Sequence, residues 1–151
     1  MNKRYNFYSY LALLIGSGIS PLSMANIEPI ISVYTTSSYH LIHQELATQV
    51  YYLDKVTNIE NVISQGLSHD PVMAEQQAKA LFNSPQWAEK EALIKDAYTD
   101  VISAWQNGIK KVPAVLFQNS TGETSVIYGE TNIAKAKKLW EQWFQNRKEG
   151  Q

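Results

Sequence analysis

The chain has 151 residues, 44% of them apolar and 11% aromatic, enough for one domain with a real core. A formal net charge of -1 excludes a general electrostatic attraction to nucleic acid or anionic membranes. With no cysteine, disulfides, thiolate nucleophiles and dithiol redox chemistry are excluded within this chain.

Lys3 and Arg4 are followed by an apolar run from about Tyr10 to Ile19, then Pro21, then the small-residue pattern Ser23-Met24-Ala25. This order predicts a secretory signal over residues 1–25, cleaved after Ala25, and a single domain over residues 26–151. The run is about half of the roughly 20 apolar residues a membrane span needs, so no stable span is expected after cleavage. Removing Lys3 and Arg4 from the 13 basic residues would take the net charge from -1 to -3.

Ile30 to Thr35 is β-branched and nearly continuously apolar, and predicts a first, buried strand. Residues 39–46 fit either a short helix or a loop. Thr48 to Leu53 predicts a second strand, stopped by Asp54. Thr57-Asn58-Ile59-Glu60 has the spacing of a capping box, with Val56, Ile59, Val62 and Ile63 on one helical face and Gly66 as a left-handed stop. Asp70-Pro71 predicts a second helix start, with Ala74, Ala78, Leu81 and Phe82 as its buried stripe. Ser84-Pro85 predicts a third. There Trp87, Ile94, Tyr98, Val101, Ile102 and Trp105 step by threes and fours, the period of a buried face. Asn107-Gly108 ends it.

Lys110 to Phe117 follows, with a core strand predicted over Val112 to Phe117. Pro113 has no amide hydrogen, so it belongs at the strand's start or on an edge, and the Val112-Pro113 bond is a plausible cis site. Asn119 to Glu123 is a turn of hairpin length, returning as Ser125 to Tyr128. Thr131 is placed to cap a last helix, with Ile133, Ala136, Trp140, Trp143 and Phe144 inward and Lys135, Lys137, Lys138 and Glu141 toward water. The order is strand, short connection, strand, several helices, hairpin, helix. It predicts an α/β fold with a mixed central sheet between helices.

That order, with Val112-Pro113 before a strand, hairpin and helix, resembles the thioredoxin-like fold. The resemblance implies a proline that borders the substrate-facing surface and a redox pair shortly after the first strand. Here that place reads Thr36-Ser37-Ser38-Tyr39-His40, so only the scaffold carries over. A closer resemblance rests on several short motifs taken together. They are Val33-Tyr34-Thr35-Thr36-Ser37, Tyr52-Leu53-Asp54, Gly66-Leu67 before Asp70-Pro71, Ala104-Trp105-Gln106 before Gly108, Lys111-Val112-Pro113-Ala114-Val115 and Tyr128-Gly129-Glu130-Thr131. In their order and spacing these resemble a family of small exported proteins of bacterial integrating conjugative elements. That resemblance implies a thioredoxin-like, non-enzymatic, periplasmic component of a conjugative, type IV secretion-like transfer apparatus. It also implies no cofactor, and other exported proteins as partners.

The candidate partner-binding residues are Val112, Pro113, Ser37, Ser38, Tyr39 and His40. An extended partner segment could add to backbone at Pro113; the plainer reading is a stiff start to a core strand. Two enzymatic alternatives use neighbouring residues. His40 and His43, three apart, could place two imidazoles on one helical face for a metal, but no further ligands are evident. Ser37 could be a nucleophile near His40, but no Gly-x-Ser-x-Gly elbow is present; hydroxyls bonding to local backbone are the plainer reading.

Overall fold

A computed structural model describes residues 28–149 of the chain; the expected signal over residues 1–25 lies outside them. The elements run β1 (Ile30–Thr35), a 3-10 turn (Gln44–Leu46), β2 (Gln49–Tyr52), α1 (Lys55–Gln65), α2 (Pro71–Phe82), α3 (Gln86–Gln106), β3 (Ala114–Gln118), β4 (Thr124–Tyr128) and α4 (Ile133–Glu149). They form a mixed α/β fold around one four-stranded sheet, ordered β2-β1-β3-β4.

The sheet follows from side-chain alternation. β1 pairs parallel with β2, in register Val33↔Val50, and antiparallel with β3, in register Val33↔Val115. β3 and β4 form the expected antiparallel hairpin, closed at Gln118↔Thr124. At its tip Asn119 Oδ1 accepts from the amides of Thr121 and Glu123, and Gly122 takes a φ of 84°. That backbone conformation suits glycine, which has no Cβ to clash.

Ile31, Val33, Val115 and Phe117 point to one face and pack against Ile133, Ala136 and Trp140 of α4. Tyr34, Ala114 and Leu116 point to the other and meet Ala104 of α3. The parallel β1–β2 pair needs a crossover, and residues 36–48 supply it with a single 3-10 turn in place of a helix. Leu41 and Ala47 from that connection pack onto the α4-side core. The connection is thus mostly irregular.

Several helices differ from the sequence expectation in which side they bury. α3 buries Ala97, Asp100 and Ala104, while Tyr98, Ile102 and Trp105 from the predicted apolar face are exposed, Trp105 to 81%. The small stripe lets the α3 backbone approach the sheet closely. On α1, Val56 is buried but Val62 is exposed; on α2, Phe82 is exposed. Trp143 of α4 is also exposed and lies beneath the Arg147 guanidinium, 5.3 Å from its ring centre. Trp105→Ala should therefore change the stability of the chain at high dilution by no more than about 0.5 kcal/mol, read from its urea midpoint.

Local starts and stops also shift. α1 begins at Lys55, with Thr57 already inside it, so the Thr57–Glu60 capping box does not open the helix. Gly66 is right-handed, with φ -79°. Asp70 caps α2 as expected, its Oδ1 accepting from the Met73 amide at 2.9 Å. Ser84 instead donates to the Leu81 carbonyl, tying off α2 rather than opening α3. α4 is capped by Asn132, whose Oδ1 accepts from the Lys135 amide at 3.1 Å, not by Thr131.

Candidate functional site

The candidate partner-binding residues fall at one end of the sheet. Antiparallel pairing sets the last residues of β1 beside the first of β3, ending at Tyr34↔Ala114. Thr36 leaving β1 and Val112 entering β3 are therefore neighbours at that end. β3 starts at Ala114, and Pro113 stands just before it, after a cis Val112-Pro113 bond. The Pro113 ring is buried and its carbonyl accepts from the Gly129 amide at 2.8 Å.

β3 is an inner strand, flanked by β1 and β4. A partner cannot add along it as it would along an open edge. Only the backbone beyond the end of β1 is available there. Val112 packs its side chain on the Tyr34–Leu116 core. Among the described residues its amide and carbonyl have no hydrogen-bond partner.

The β1 exit loop is held by Asp54. Asp54 Oδ2 accepts from the Ser37 amide at 2.9 Å and from the Ser37 hydroxyl. Burial pushes the Asp54 carboxyl up, but hydrogen bonds from Ser37, the Asp54 backbone and Asn58 together outweigh it and hold the group below the ordinary aspartate range. Its Oδ1 is buried without a hydrogen-bond partner. Ser38, Tyr39 and His40 lie beyond this latch and are exposed, with the Tyr39 amide donating to the Thr36 carbonyl in a turn. The chain then returns to the sheet end: the Ile42 amide donates to the Thr131 carbonyl and the Ile133 amide to the Ile42 carbonyl.

A carboxyl whose folded pKa is lowered stabilises above its unfolded value, near 3.9, and that contribution is lost as pH falls through the folded value. Asp54 is half-buried and its partner Ser37 is exposed, so Asp54→Ala should cost only about 1 kcal/mol at pH 7. The gap between variant and parent should close as urea midpoints are followed below pH 4. A gap that stays constant down to pH 2 would refute the assignment.

The basic rim of this end is Lys110 and Lys111. Lys111 Nζ sits 5.6 Å from the centre of the Tyr128 ring, and the Lys110 amide donates to the Tyr128 hydroxyl at 3.4 Å. On the far side Lys135, 2.6 Å from Glu130, holds that carboxyl below its ordinary range, helped by the Asn132 amide.

The residues of the enzymatic alternatives are not assembled as those readings require. His43 has a φ of 58°, off any helix, and its Nδ1 lies 3.1 Å from Glu45 Oε1. Ser37 is paired with Asp54 rather than with a histidine. Among the described residues no group of three His, Asp or Glu is placed to hold a metal ion.

A family model described as "Protein of unknown function (DUF1525)" matches residues 28–146. The chain belongs to this family. No curated protein and no solved structure matches it. The DUF1525 match takes in every element from β1 to the Asn146 turn of α4, and with them the whole sheet end. No helix of the described residues is long and apolar enough to cross a membrane.

Sequence reasoning missed Asp54 as the partner of Ser37, reading it as a strand stop and a cap for the helix that follows. It does sit at the cap position of α1, but its side chain turns to Ser37 instead of capping the helix. The one available signal was an aspartate directly after a strand that must lie beside β1, since a parallel pair places both strand exits at the same end.

Proposed function

We propose that this DUF1525 protein is an exported, non-enzymatic docking component of the conjugative transfer apparatus of an integrating conjugative element. It acts in the periplasm on a thioredoxin-like scaffold that has no redox pair. The order of elements, with Pro113 opening the third strand before a hairpin and a helix, supports the scaffold. The short motifs spread over residues 33–131 support the conjugative setting. The apolar run and Ser23-Met24-Ala25 support export.

The observation that carries the docking role is the unpartnered Val112 backbone, set between the latched Thr36–His40 loop and the Lys110–Lys111 rim. An extended segment of a partner protein can donate to the carbonyl and accept from the amide there. Tyr39 and His40 supply side-chain contact beside it, and the lysines favour an acidic flank.

The test is a photo-crosslinking residue placed at Tyr39 in donor cells during transfer. It should yield adducts with a small set of exported proteins, and the same residue at Ser120, on the hairpin tip at the opposite end of β3, should not. Identical adducts from both positions, or none from Tyr39, would overturn the reading.

A further inference from the structure

We infer that α3 carries a homodimer interface, in which two copies of this chain meet antiparallel through Tyr98, Val101, Ile102 and Trp105. These residues follow i, i+3, i+4, i+7 and so share one helical face. It is not the face that binds the sheet, which uses Ala97, Asp100 and Ala104. The N-terminal end of the stripe is covered: Phe82 of α2 meets Trp87 edge to face, with ring centres 4.5 Å apart. Farther along, all four side chains are exposed, by 46%, 36%, 50% and 81% in chain order.

A second copy is the occupant that the spacing selects. The intervals three, one, three read the same in both directions about a point between Val101 and Ile102. A twofold axis through that point sets Tyr98 against Trp105 of the other copy, and Val101 against Ile102. Aromatic meets aromatic and β-branched meets β-branched, the self-complementarity a twofold contact demands. Charge agrees. Glu91 and Lys95 pair with each other at 2.7 Å on α3. The antiparallel arrangement brings the Lys110–Lys111 exit of one copy toward the Glu91 side of that pair in the other, and Lys95 toward the negative C-terminal end of the other α3. A parallel arrangement would instead gather four lysines at one end.

The area is sufficient. The four side chains expose roughly 500 Å² together, in the range of the largest patches on monomeric proteins. Two copies with their rims would bury on the order of 1,200 Å² in total, the lower end of specific interfaces. The leading segment of the chain is a poorer occupant. It enters at Glu28, which is paired with Lys137 of α4 at 2.5 Å, on the opposite face of the sheet. The inference is independent of the docking role of the Pro113 end.

Sedimentation velocity on the purified protein, expressed from its complete sequence, should show a monomer–dimer equilibrium with a Kd on the order of 10 μM. Trp105→Ala should weaken it at least tenfold, as removal of an aromatic anchor does, without moving the urea midpoint at high dilution. Because the chain has no cysteine, single substitutions report the geometry directly. Val101→Cys or Ile102→Cys, next to the axis, should oxidise to a covalent dimer much faster than Asp96→Cys, which lies around the helix. A mixture of Tyr98→Cys and Trp105→Cys should couple faster than either alone. A monomer up to about 100 μM, an unaffected Trp105→Ala dimer, or equal oxidation of Asp96→Cys would each overturn the interface.

Discussion

Replacing Phe117 by alanine should lower stability by about 4 kcal/mol. Phe117 lies in β3, an inner strand of the sheet, and is fully buried. Its ring stacks on Trp140, with centres 5.3 Å apart, and Trp140 stacks in turn on Phe144 at 5.1 Å. Alanine would remove the transfer energy of the ring and leave a cavity between β3 and α4 that rigid strands cannot collapse. A domain of this size has roughly 5–15 kcal/mol in total, so the loss would be a large share of it. The measurement is the free energy of unfolding in urea, with the slope unchanged if only the native state is affected. Phe117→Leu keeps most of the volume and should cost less than half as much.

Asp100→Ala should cost about 3 kcal/mol, although it removes only one small polar side chain. Asp100 is buried on the sheet-facing side of α3. Its Oδ2 accepts from the Tyr52 amide at 3.1 Å and lies 2.8 Å from Lys55 Nζ. The Leu53 amide donates to Thr35, toward β1. By alternation the Tyr52 amide faces the open side of β2, where no strand can satisfy it. One carboxylate thus ends the sheet, anchors the start of α1 and fixes α3. Alanine would strand the Tyr52 amide, whereas Asn would keep an acceptor and should recover about half of the loss. The hydrogen bond that Lys55 donates to Asp100 raises the Lys55 pKa against a smaller effect of burial. A raised lysine stabilises fully below its unfolded value, near 10.4, and that share is lost as pH rises through the folded value. The parent should therefore lose stability above pH 10 more steeply than Asp100→Ala, when urea midpoints are compared across that range.

The sheet was the most legible part of the chain. β1 runs from Ile30 to Thr35 as its β-branched run predicts, and the hairpin closes where Asn119 and Gly122 indicate. The helices were legible in extent but not in orientation. α3 has two candidate stripes about 100° apart, one small and one large and apolar. Hydrophobic period selects the large one, because it scores side chains rather than how near the sheet lies. The site was legible as a set of residues at one end. Its fastening was not, because the Ser37–Asp54 and Asp100–Tyr52 bonds join residues 17 and 48 positions apart, a distance over which no local pattern speaks.

The pairing of β1 with β3 also has a bearing on how the chain acquires its shape. Tyr34 must find Ala114 across the whole helical half of the molecule, so the central contact has high sequence separation and the closure of a long loop precedes any reward for it. While the polypeptide emerges from its N-terminus, β1 has only the short β2 beside it, and Ile31 and Val33 wait without Phe117 or Trp140 over them. Assembly of the domain is in this sense governed by its last third, and the earlier segments stay sticky until that third arrives.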